Sequence, residues 1–555
     1  MIPEILLLEL FTTSVAVLLL GRWRRVVEIT SVGAVLFSAA LSLLYALQLQ
    51  DFPCVVLQFY TDALSKIMLC VVNVLGALIV TYSIGYMKNE ASYRRYYSLM
   101  LLFIASMSML VLATDLIVLY LSWELVGVCS ALLISFWWDK PEARRAGLKA
   151  FTVTRIGDIG LVVAIALILS AMGTSSIPSI LGSLDKLGGE TTMIALLLIL
   201  AAIGKSAQFP LFVWLPDAME GPTSVSALIH AATMVKAGVY LVSRLYPLIA
   251  SSTTALEFIL ITSIITILIS AISALGASDI KKVLAYSTIN HLALMFLALG
   301  VGAWSSAQLH LLSHSLFKAL LFLCAGLIIH EASTRSLDEL SGLWSAGLRV
   351  TSIAFLIGSL SLAGVPPFPG YFTKELIFYA FEHHFPTELS ILFTTIVSLL
   401  SSLYIFRLYF RVFSGSSKNR MHEKDLAMML PIIILSVLTL GGYFILLQAS
   451  RMLGVQTIYS DVNPYAILGL VVGFLTSYLI WRKGSFSALR ITLTPLSRIA
   501  DNGFYLDAAY RFIATHILDF ASRLSQRLQT GIPSVNTLWL IGLLVFLTII
   551  VLGVM

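Results

Sequence analysis

Titratable side chains stand inside segments of this chain that are otherwise apolar. Glu124 ends the stretch "LYLSWE", Lys205 ends "IALLLILAAIGK", and Lys374 and Glu375 end "AGVPPFPGYFTKE". A charge at the centre of a hydrocarbon layer costs about 2.5–3.5 kcal/mol on the mildest scale. Such groups must therefore be paired, hydrated or used to move protons.

Glu124 and Lys205 have charges that can compensate each other. A buried lysine beside a carboxylate gains and loses a proton as its partner moves, because the balance of desolvation and attraction changes. A purely structural ion pair is the alternative. Arg155 and Asp158 stand at i and i+3, which predicts a local salt bridge near the inner end of a helix. Asp158 could also tune the Glu124–Lys205 pair.

Three further groups lie along one face of a single apolar segment. His310, His314 and Lys318 occupy i, i+4 and i+8 in "HLLSHSLFKALLFL", and imidazole titrates near physiological pH, which favours a proton wire. Structural hydrogen bonding and a zinc site are the alternatives, although a third ligand is missing and Lys318 would repel a metal. His230 is either a bridge between two halves or a satisfied core histidine. Lys236 is either a second relay or a structural charge.

Two proline-containing interruptions accompany the lysines. Phe209–Pro210 follows Lys205, and Phe368–Pro369 precedes Lys374. Proline breaks a helix, and broken helices at membrane depth in two halves point to an inverted-repeat transporter. Lys374 is then the candidate terminal proton site, with Glu375 on a different face.

The composition predicts the elements that hold these residues. The chain has 555 residues, of which 59% are hydrophobic and 12% charged, and its mean hydropathy is +0.94. Soluble domains carry about 25% charged residues. About 16 apolar runs of spanning length predict an all-α polytopic membrane protein.

Basic residues alternate between the predicted loops. "GRWRR", "KNEASYRR", "DKPEARRAGLK", "SDIKK", "RVFSGSSKNRMHEK" and "WRKGS" fall on one side, which predicts that side to be cytoplasmic and both termini to lie outside. Arg407 and Arg411 are expected to be interfacial anchors. The net charge of +6 indicates an anionic membrane surface and not nucleic acid. Four scattered cysteines give no support for an iron–sulfur or zinc site.

The C-terminal segment differs from the rest. "FYLDAAYRFIATHILDFASRLSQRLQT", from Phe504 to Thr530, has one apolar stripe and too many charges to span, so it is predicted to lie along the membrane or another subunit. The expected domains are three helices (1–90), a first repeat (91–248), a second repeat (249–412), additional helices (413–482), an amphipathic lateral segment (483–537) and a final membrane helix (538–555).

Four segments closely resemble the antiporter-like subunits of respiratory complex I, over about 60–410. They are "SWELVGVCSALLISFWW", "GKSAQFPLFVWLPDAMEGPTSVSALIHAATMVKAGVYL", "DIKKVLAYSTINHLALMFLALG" and "HLLSHSLFKALLFLCAG". The helix count and the amphipathic segment resemble the distal L-type subunit. The lateral segment is short for that type, and Lys236 is more typical of M-type, Mrp-type and hydrogenase-linked relatives.

The resemblance implies a proton channel made of two inverted five-helix repeats, each with a broken helix, in a prokaryotic cytoplasmic membrane. It implies a coupled pair (Glu124 and Lys205), a further acidic position (Asp158), a central hydrophilic axis (His230, His310, His314 and Lys318) and an exit-side lysine (Lys374). Lys236 and Glu375 are supporting candidates.

The resemblance also implies that this chain holds no cofactor or metal. NADH, FMN, iron–sulfur clusters and quinone are expected in partner subunits, which include an M-type neighbour and smaller helical subunits, with lipids around them. The alternatives are a Mrp-type Na⁺/H⁺ antiporter, a membrane-bound hydrogenase, a ferredoxin- or F420-linked pump, and a non-pumping scaffold, which the line of buried charges disfavours.

Overall fold

The structure is a computed structural model that describes residues 2–47, 59–417, 420–455, 462–482 and 503–528. Within these ranges the chain is helical, and extended pairing is limited to isolated β-bridges. The predicted all-α architecture is confirmed.

The helices run in chain order with short connections. The first part contains α1 (Ile2–Leu20), α2 (Arg24–Leu47), α3 (Ala63–Tyr86), α4 (Tyr93–Leu112), α5 (Leu116–Ile134), α6 (Pro141–Met172), α7 (Ile177–Leu181), α8 (Thr191–Lys205), α9 (Trp214–Asp217), α10 (Thr223–Ala231), α11 (Met234–Arg244) and α12 (Tyr246–Ala250). The second part contains α13 (Thr253–Gly276), α14 (Ile280–Gly300), α15 (Trp304–Ala332), α16 (Leu343–Ala346), α17 (Arg349–Ala363), α18 (Pro369–His384), α19 (Thr387–Phe413), α20 (Leu426–Leu440), α21 (Gly442–Met452) and α22 (Pro464–Ser477).

Among the described residues, thirteen helical segments are long and apolar enough to cross a membrane, or fourteen if α20 and α21, bent by 64°, form one span. The sequence predicted about 16. The segment near 350–380 forms two helices, α17 and α18, that are each too short to be counted, and the segment 538–554 lies outside the described residues. The count of 16 and the domain boundaries therefore stay predictions.

The same helix-start arrangement occurs twice. Asp115 caps α5 by accepting from Ile117 N and Val118 N, and Asp279 caps α14 by accepting from Lys281 N and Lys282 N. Each aspartate also forms an antiparallel bridge to a serine farther along the chain, Asp115 to Ser176 and Asp279 to Ser336. This repetition is what a chain built from two related halves requires.

Both predicted breaks are present. α8 ends at Lys205, and the first break, Ser206–Pro222, contains Pro210 and Pro216, which leave only short helical turns. α17 ends at Ala363, where Gly364 takes the left-handed conformation (φ +88°) that glycine adopts most readily, and the second break is Gly364–Phe368. Prolines cannot supply the N–H groups that would continue either helix.

The most enclosed helices lie at the middle of the unit. The membrane-length segments made of α10 with α11 and of α14 are fully buried, and that of α15 is 94% buried, whereas α2 and α6 are 39% buried. Membrane proteins place ionisable groups toward the interior of the bundle. A polar line carried by α10, α11, α14 and α15 is thus shielded from lipid.

The C-terminal residues form a separate compact unit, 502–555. Its described part contains one helix, α23 (Leu506–Leu528). At about 1.5 Å per residue this helix is roughly 35 Å long. The predicted amphipathic helix is therefore present, and the predicted helix 538–555 lies outside the described residues.

Candidate functional site

The Lys205 side chain is fully buried where α8 ends. Its Nζ donates to Asp158 Oδ2 at 3.3 Å, and Trp123 Nε1 donates to Asp158 Oδ1 at 2.5 Å. Lys205 Nζ also lies 5.5 Å from the centre of the Trp123 ring. Asp158 is thus held from two sides and compensates the ammonium.

Small residues let these groups meet. A Cβ on Gly157 would lie 3.1 Å from Gly204 Cα, so α6 and α8 approach at backbone contact. A Cβ on Gly127 of α5 would lie 2.5 Å from Lys205 Nζ. The ammonium therefore occupies the space that the absent side chain of Gly127 leaves.

The ion pairs observed around Lys205 differ from the ones expected from the sequence. Arg155 pairs with Glu124 across α5 and α6, on a partly exposed face, and the expected local Arg155–Asp158 bridge is wrong. Lys205 contacts Asp158 and not Glu124, because α6 packs closely on α8, and the coupling of Glu124 with Lys205 stays a prediction. Asp158, predicted as a supporting residue, is the direct partner.

Two histidines from different helices are joined at the centre. His291 Nδ1 of α14 and His310 Nε2 of α15 lie 3.0 Å apart, and His310 Nδ1 lies 2.9 Å from Thr373 Oγ1 of α18. Thr373 precedes Lys374 in the chain. His291 was missed as a site residue because it has no titratable neighbour at helical spacing, although a histidine inside a predicted membrane span is itself a signal.

The lysines of α11 and α15 contact neutral groups. Lys236 Nζ donates to Ser315 Oγ and, at 3.2 Å, to Leu311 O. Lys318 Nζ donates to Ser287 Oγ and, at 3.1 Å, to Leu284 O. Both side chains are fully buried, and their hydrogen bonds join α11 to α15 and α15 to α14.

Several imidazole nitrogens of this region have no protein partner in the described ranges. They are both nitrogens of His230, both of His314, and Nε2 of His291. His230 packs on Phe322 of α15 with ring centroids 4.6 Å apart, and His314 lies 5.6 Å from the His291 ring. Buried polar groups of this kind are normally satisfied by internal water. These imidazole nitrogens can therefore hydrogen-bond internal water.

Lys374 lies beside the second break. Its Nζ donates to Ala363 O and Ser401 Oγ, both at 2.9 Å, whereas Glu375 Oε2 accepts from Asn463 N at 3.3 Å. The two neighbours face apart, as predicted. A small cavity of about 10 Å³, which has room for about one water molecule, is lined by Lys374 and Glu375, together with residues of α19 and α22.

The remaining predictions have mixed outcomes. Arg407 is buried and donates to Ala274 O and Ala277 O at the end of α13, so its expected role as an interfacial anchor is wrong. Arg411 pairs with Asp338. Across the part of the chain that the structure describes, no group of three or more His, Cys, Asp or Glu is arranged to hold a metal.

A second set of contacts fastens the first break to the other half. Lys281 Nζ of α14 donates to Met219 O and Gly221 O, each at 2.6 Å. Arg335 pairs with both Glu220 and Asp279. The connections between α8 and α10 and between α15 and α16 therefore share one polar junction with the start of α14.

Arg244, the last residue of α11, is buried. Its guanidinium donates to Asp62 at 2.5 and 3.1 Å and to Tyr240 Oη at 2.7 Å. Burial alone would raise the pKa of Asp62, but the hydrogen bonds and charge of Arg244 outweigh it and hold that pKa below its usual value. The pair ties α11 to the start of α3.

Two protein-family models match this chain. Residues 113–401, more than half of the chain, match the model described as NADH:quinone oxidoreductase/Mrp antiporter, TM. The chain belongs to this family. Residues 47–97 match a second model, NADH-Ubiquinone oxidoreductase (complex I), chain 5 N-terminus. All of the candidate site residues from Glu124 to Lys374 fall inside the first match.

Two relatives within this antiporter family cover most of the chain. NADH-quinone oxidoreductase subunit L of Buchnera aphidicola is 39% identical over 484 residues, covering 83% of this chain and 78% of the relative. F(420)H(2) dehydrogenase subunit L of Methanosarcina mazei is 36% identical over 519 residues, covering 81% and 77%. The same membrane subunit type thus occurs beside different electron donors.

A solved structure shows the fold. A chain of the Mrp complex from Dietzia sp. DQ12-45-1b superimposes with a TM-score of 0.80 at 24% identity, covering all of this chain and 63% of that one. At that identity the likeness concerns the fold alone.

Proposed function

We propose that this chain translocates protons as a membrane subunit of a complex I-like NADH:quinone oxidoreductase. The supporting observation is the buried line of titratable groups that crosses from the first break to the second. It consists of Asp158, Lys205, Lys236, His314, His291, His310, Lys318 and Lys374, and is called the central line below.

Each part of the central line has its own task. Lys205, compensated by Asp158, takes up a proton at the first break. Lys236, Lys318 and the histidines pass protons through internal water and short side-chain bonds, with His230 beside them. Lys374 releases protons into the cavity at the second break, where Glu375 lines the same space. Glu124 and Arg155 hold the outer face of the loading site.

Redox chemistry belongs to partner subunits in this proposal. NADH, FMN, iron–sulfur clusters and quinone are bound there, and this chain contributes a translocase activity without a cofactor of its own. The proposed location is a prokaryotic cytoplasmic membrane, and the alternation of basic loops supports both termini lying outside. Neighbouring membrane subunits and lipids are its partners, and nucleic acid is not.

An exchange of Na⁺ for H⁺ is the second candidate. It is favoured by the family model, whose description includes the Mrp antiporter, and by Lys236. Transport by the purified assembly in liposomes separates the two. NADH-driven acidification that is unchanged when Na⁺ is replaced by choline supports the first function, and a strict Na⁺ requirement supports the second.

The test of the central line removes its two end lysines. Lys205→Ala and Lys374→Ala should each lower the rate of proton translocation about a hundredfold, the size of a typical proton-transfer contribution. Lys186→Ala, an exposed lysine, is the matched control and should transport normally. Assembly is checked by size-exclusion chromatography, and normal pumping in either assembled variant contradicts the proposal.

A further inference from the structure

A groove runs between α1 and α2, and none of its lining residues belongs to the central line. Its volume is about 520 Å³, and its lining residues are mostly small or apolar. They are Thr12, Thr13, Ala16, Val17, Gly21, Val26, Val27, Thr30, Gly33 and Ala34. This volume lies within the range of about 300–1,000 Å³ that ligand pockets commonly have.

The threonines do not make the groove polar. Thr12 Oγ1 donates to Leu8 O at 2.7 Å, and Thr30 Oγ1 donates to Val26 O at 2.8 Å. The third threonine, Thr13, hydrogen-bonds the Glu9 side chain of its own helix. Because all three hydroxyls are satisfied within their own helices, they need no hydrogen-bond partner from an occupant of the groove. An occupant is therefore expected to be a hydrocarbon.

The groove has a cationic mouth. Gly21 and Val26 line it, and their chain neighbours Arg22 and Arg25 are exposed. Arg94 reaches the same place, since a Cβ on Gly21 would lie 3.3 Å from Arg94 Cδ. In the described ranges, neither Arg22 nor Arg25 has an ion-pair partner.

The neighbouring Arg24 differs, because its guanidinium already has partners within the protein. It pairs with Glu28 and donates to Met87 O and Glu90 O. Trp23 between them is 70% exposed, as is usual for an aromatic residue at the membrane–water interface. The mouth therefore lies at headgroup level with unpaired positive charge.

The groove also has the length of one leaflet. From Gly21 back to Thr12, and from Arg24 forward to Gly33, the helices cover about 13–14 Å at 1.5 Å per residue. A hydrocarbon core is about 30 Å thick, so the groove covers about half of it. A transmembrane helix of a partner would need the full depth, whereas an acyl chain needs one leaflet.

We propose that this groove binds an anionic phospholipid, with one acyl chain between α1 and α2 and its phosphate at Arg22, Arg25 and Arg94. Charge complementarity selects the headgroup, and the satisfied threonines and small residues accept the chain. The site is independent of which ion the protein carries.

The experiment uses the purified assembly in lipid nanodiscs. Two photoactivatable probes with identical acyl chains, one phosphatidylglycerol and one phosphatidylcholine, are crosslinked, and the adducts are located by peptide mass spectrometry. The phosphatidylglycerol probe should label the segment 10–34, and excess unlabelled phosphatidylglycerol should displace it far better than phosphatidylcholine.

Two variants test the two ends of the site. Gly33→Leu fills the groove without disturbing the fold, because a Cβ there meets nothing within 4 Å, and should lower labelling about tenfold or more, the effect of 1.4 kcal/mol. Arg22→Gln with Arg25→Gln should lower it about fivefold for each charge removed. Arg144→Gln with Arg145→Gln, two exposed arginines of another basic loop, is the matched control and should label normally.

The proposal is overturned if both probes label 10–34 equally. It is also overturned if labelling is unchanged in Gly33→Leu and in the double variant Arg22→Gln with Arg25→Gln. It is also overturned if the segment crosslinks to another protein chain in place of lipid. Size-exclusion profiles of the variants verify that each assembly remains intact.

Discussion

The two breaks hold their lysines in different ways. At the first break, Lys205 faces a buried carboxylate, Asp158, and fills the space beside Gly127. At the second break, Lys374 faces only neutral acceptors, Ala363 O and Ser401 Oγ, and lines a cavity. Both side chains are buried, but Lys205 is compensated by a carboxylate, whereas Lys374 donates to neutral dipoles beside a small cavity.

The different acceptors of the two lysines bear on the direction of proton transfer. A carboxylate stabilises a protonated lysine, so the first break favours uptake and retention. Hydroxyl and carbonyl acceptors offer less stabilisation to a full charge, so the second break favours release. In the proposed function, the two breaks therefore have opposite tasks.

The most severe way to disturb this contrast is Asp158→Asn. The amide oxygen still accepts from Trp123 Nε1, so the change isolates the contact with Lys205. Loss of one partner of a buried ion pair costs about 3–5 kcal/mol. We expect a lower midpoint of thermal unfolding for the assembly and loss of proton translocation, measured by a pH-sensitive dye.

Lys205→Met with Asp158→Asn is the control for that change. Removing both charges relieves the unpaired ammonium, so the thermal midpoint should return close to the wild-type value while translocation stays absent. If the double variant is as unstable as Asp158→Asn alone, the pair is not what determines stability there.

A milder perturbation is Gly127→Ala. The new Cβ would lie 2.5 Å from Lys205 Nζ and must displace it, at an overpacking cost of about 1–3 kcal/mol. We expect a fall in transport of about tenfold with assembly retained. The neighbouring Val128→Ala, on a more exposed side of α5, should leave transport unchanged, and equal rates for both variants would show that the space beside Lys205 is unimportant.

The smallest effect is expected at the second break. Ser401→Ala removes one acceptor of Lys374 but leaves Ala363 O, at a cost of about 0.5–1.5 kcal/mol. Transport should fall about twofold to tenfold. A loss as complete as that of Lys374→Ala would mean that Ser401 itself carries the proton, and the contrast between the breaks would have to be redrawn.

Much of the fold could be predicted from the sequence. Apolar runs of spanning length gave the helices, prolines located both breaks, and the stripe of Phe504–Thr530 gave α23. These features are local, because they depend on residues a few positions apart. Two of the 16 predicted spans are absent from the structural count, because 350–380 forms two helices that are each too short and 538–554 lies outside the described residues.

The sequence could identify single site residues but not the contacts between them. Lys205 and Lys374 stand out by burial cost alone, but their partners lie on other helices, so spacing cannot choose between Glu124 and Asp158. The choice depends on how closely α6 packs on α8, which Gly157 and Gly204 determine. His291 was missed for the same reason, since its partner His310 is reached only across the α14–α15 interface.

The junction at Lys281 has a mechanical consequence. Its ammonium holds two carbonyls of the first break, Met219 O and Gly221 O, while Arg335 joins Glu220 to Asp279. The first break is thereby anchored to the opposite half as well as to its own, where Lys149 of α6 pairs with Asp217. Because these bonds join the first break to the other half, a movement of either half would pull on the other, and in the proposed function this would link proton uptake to proton release.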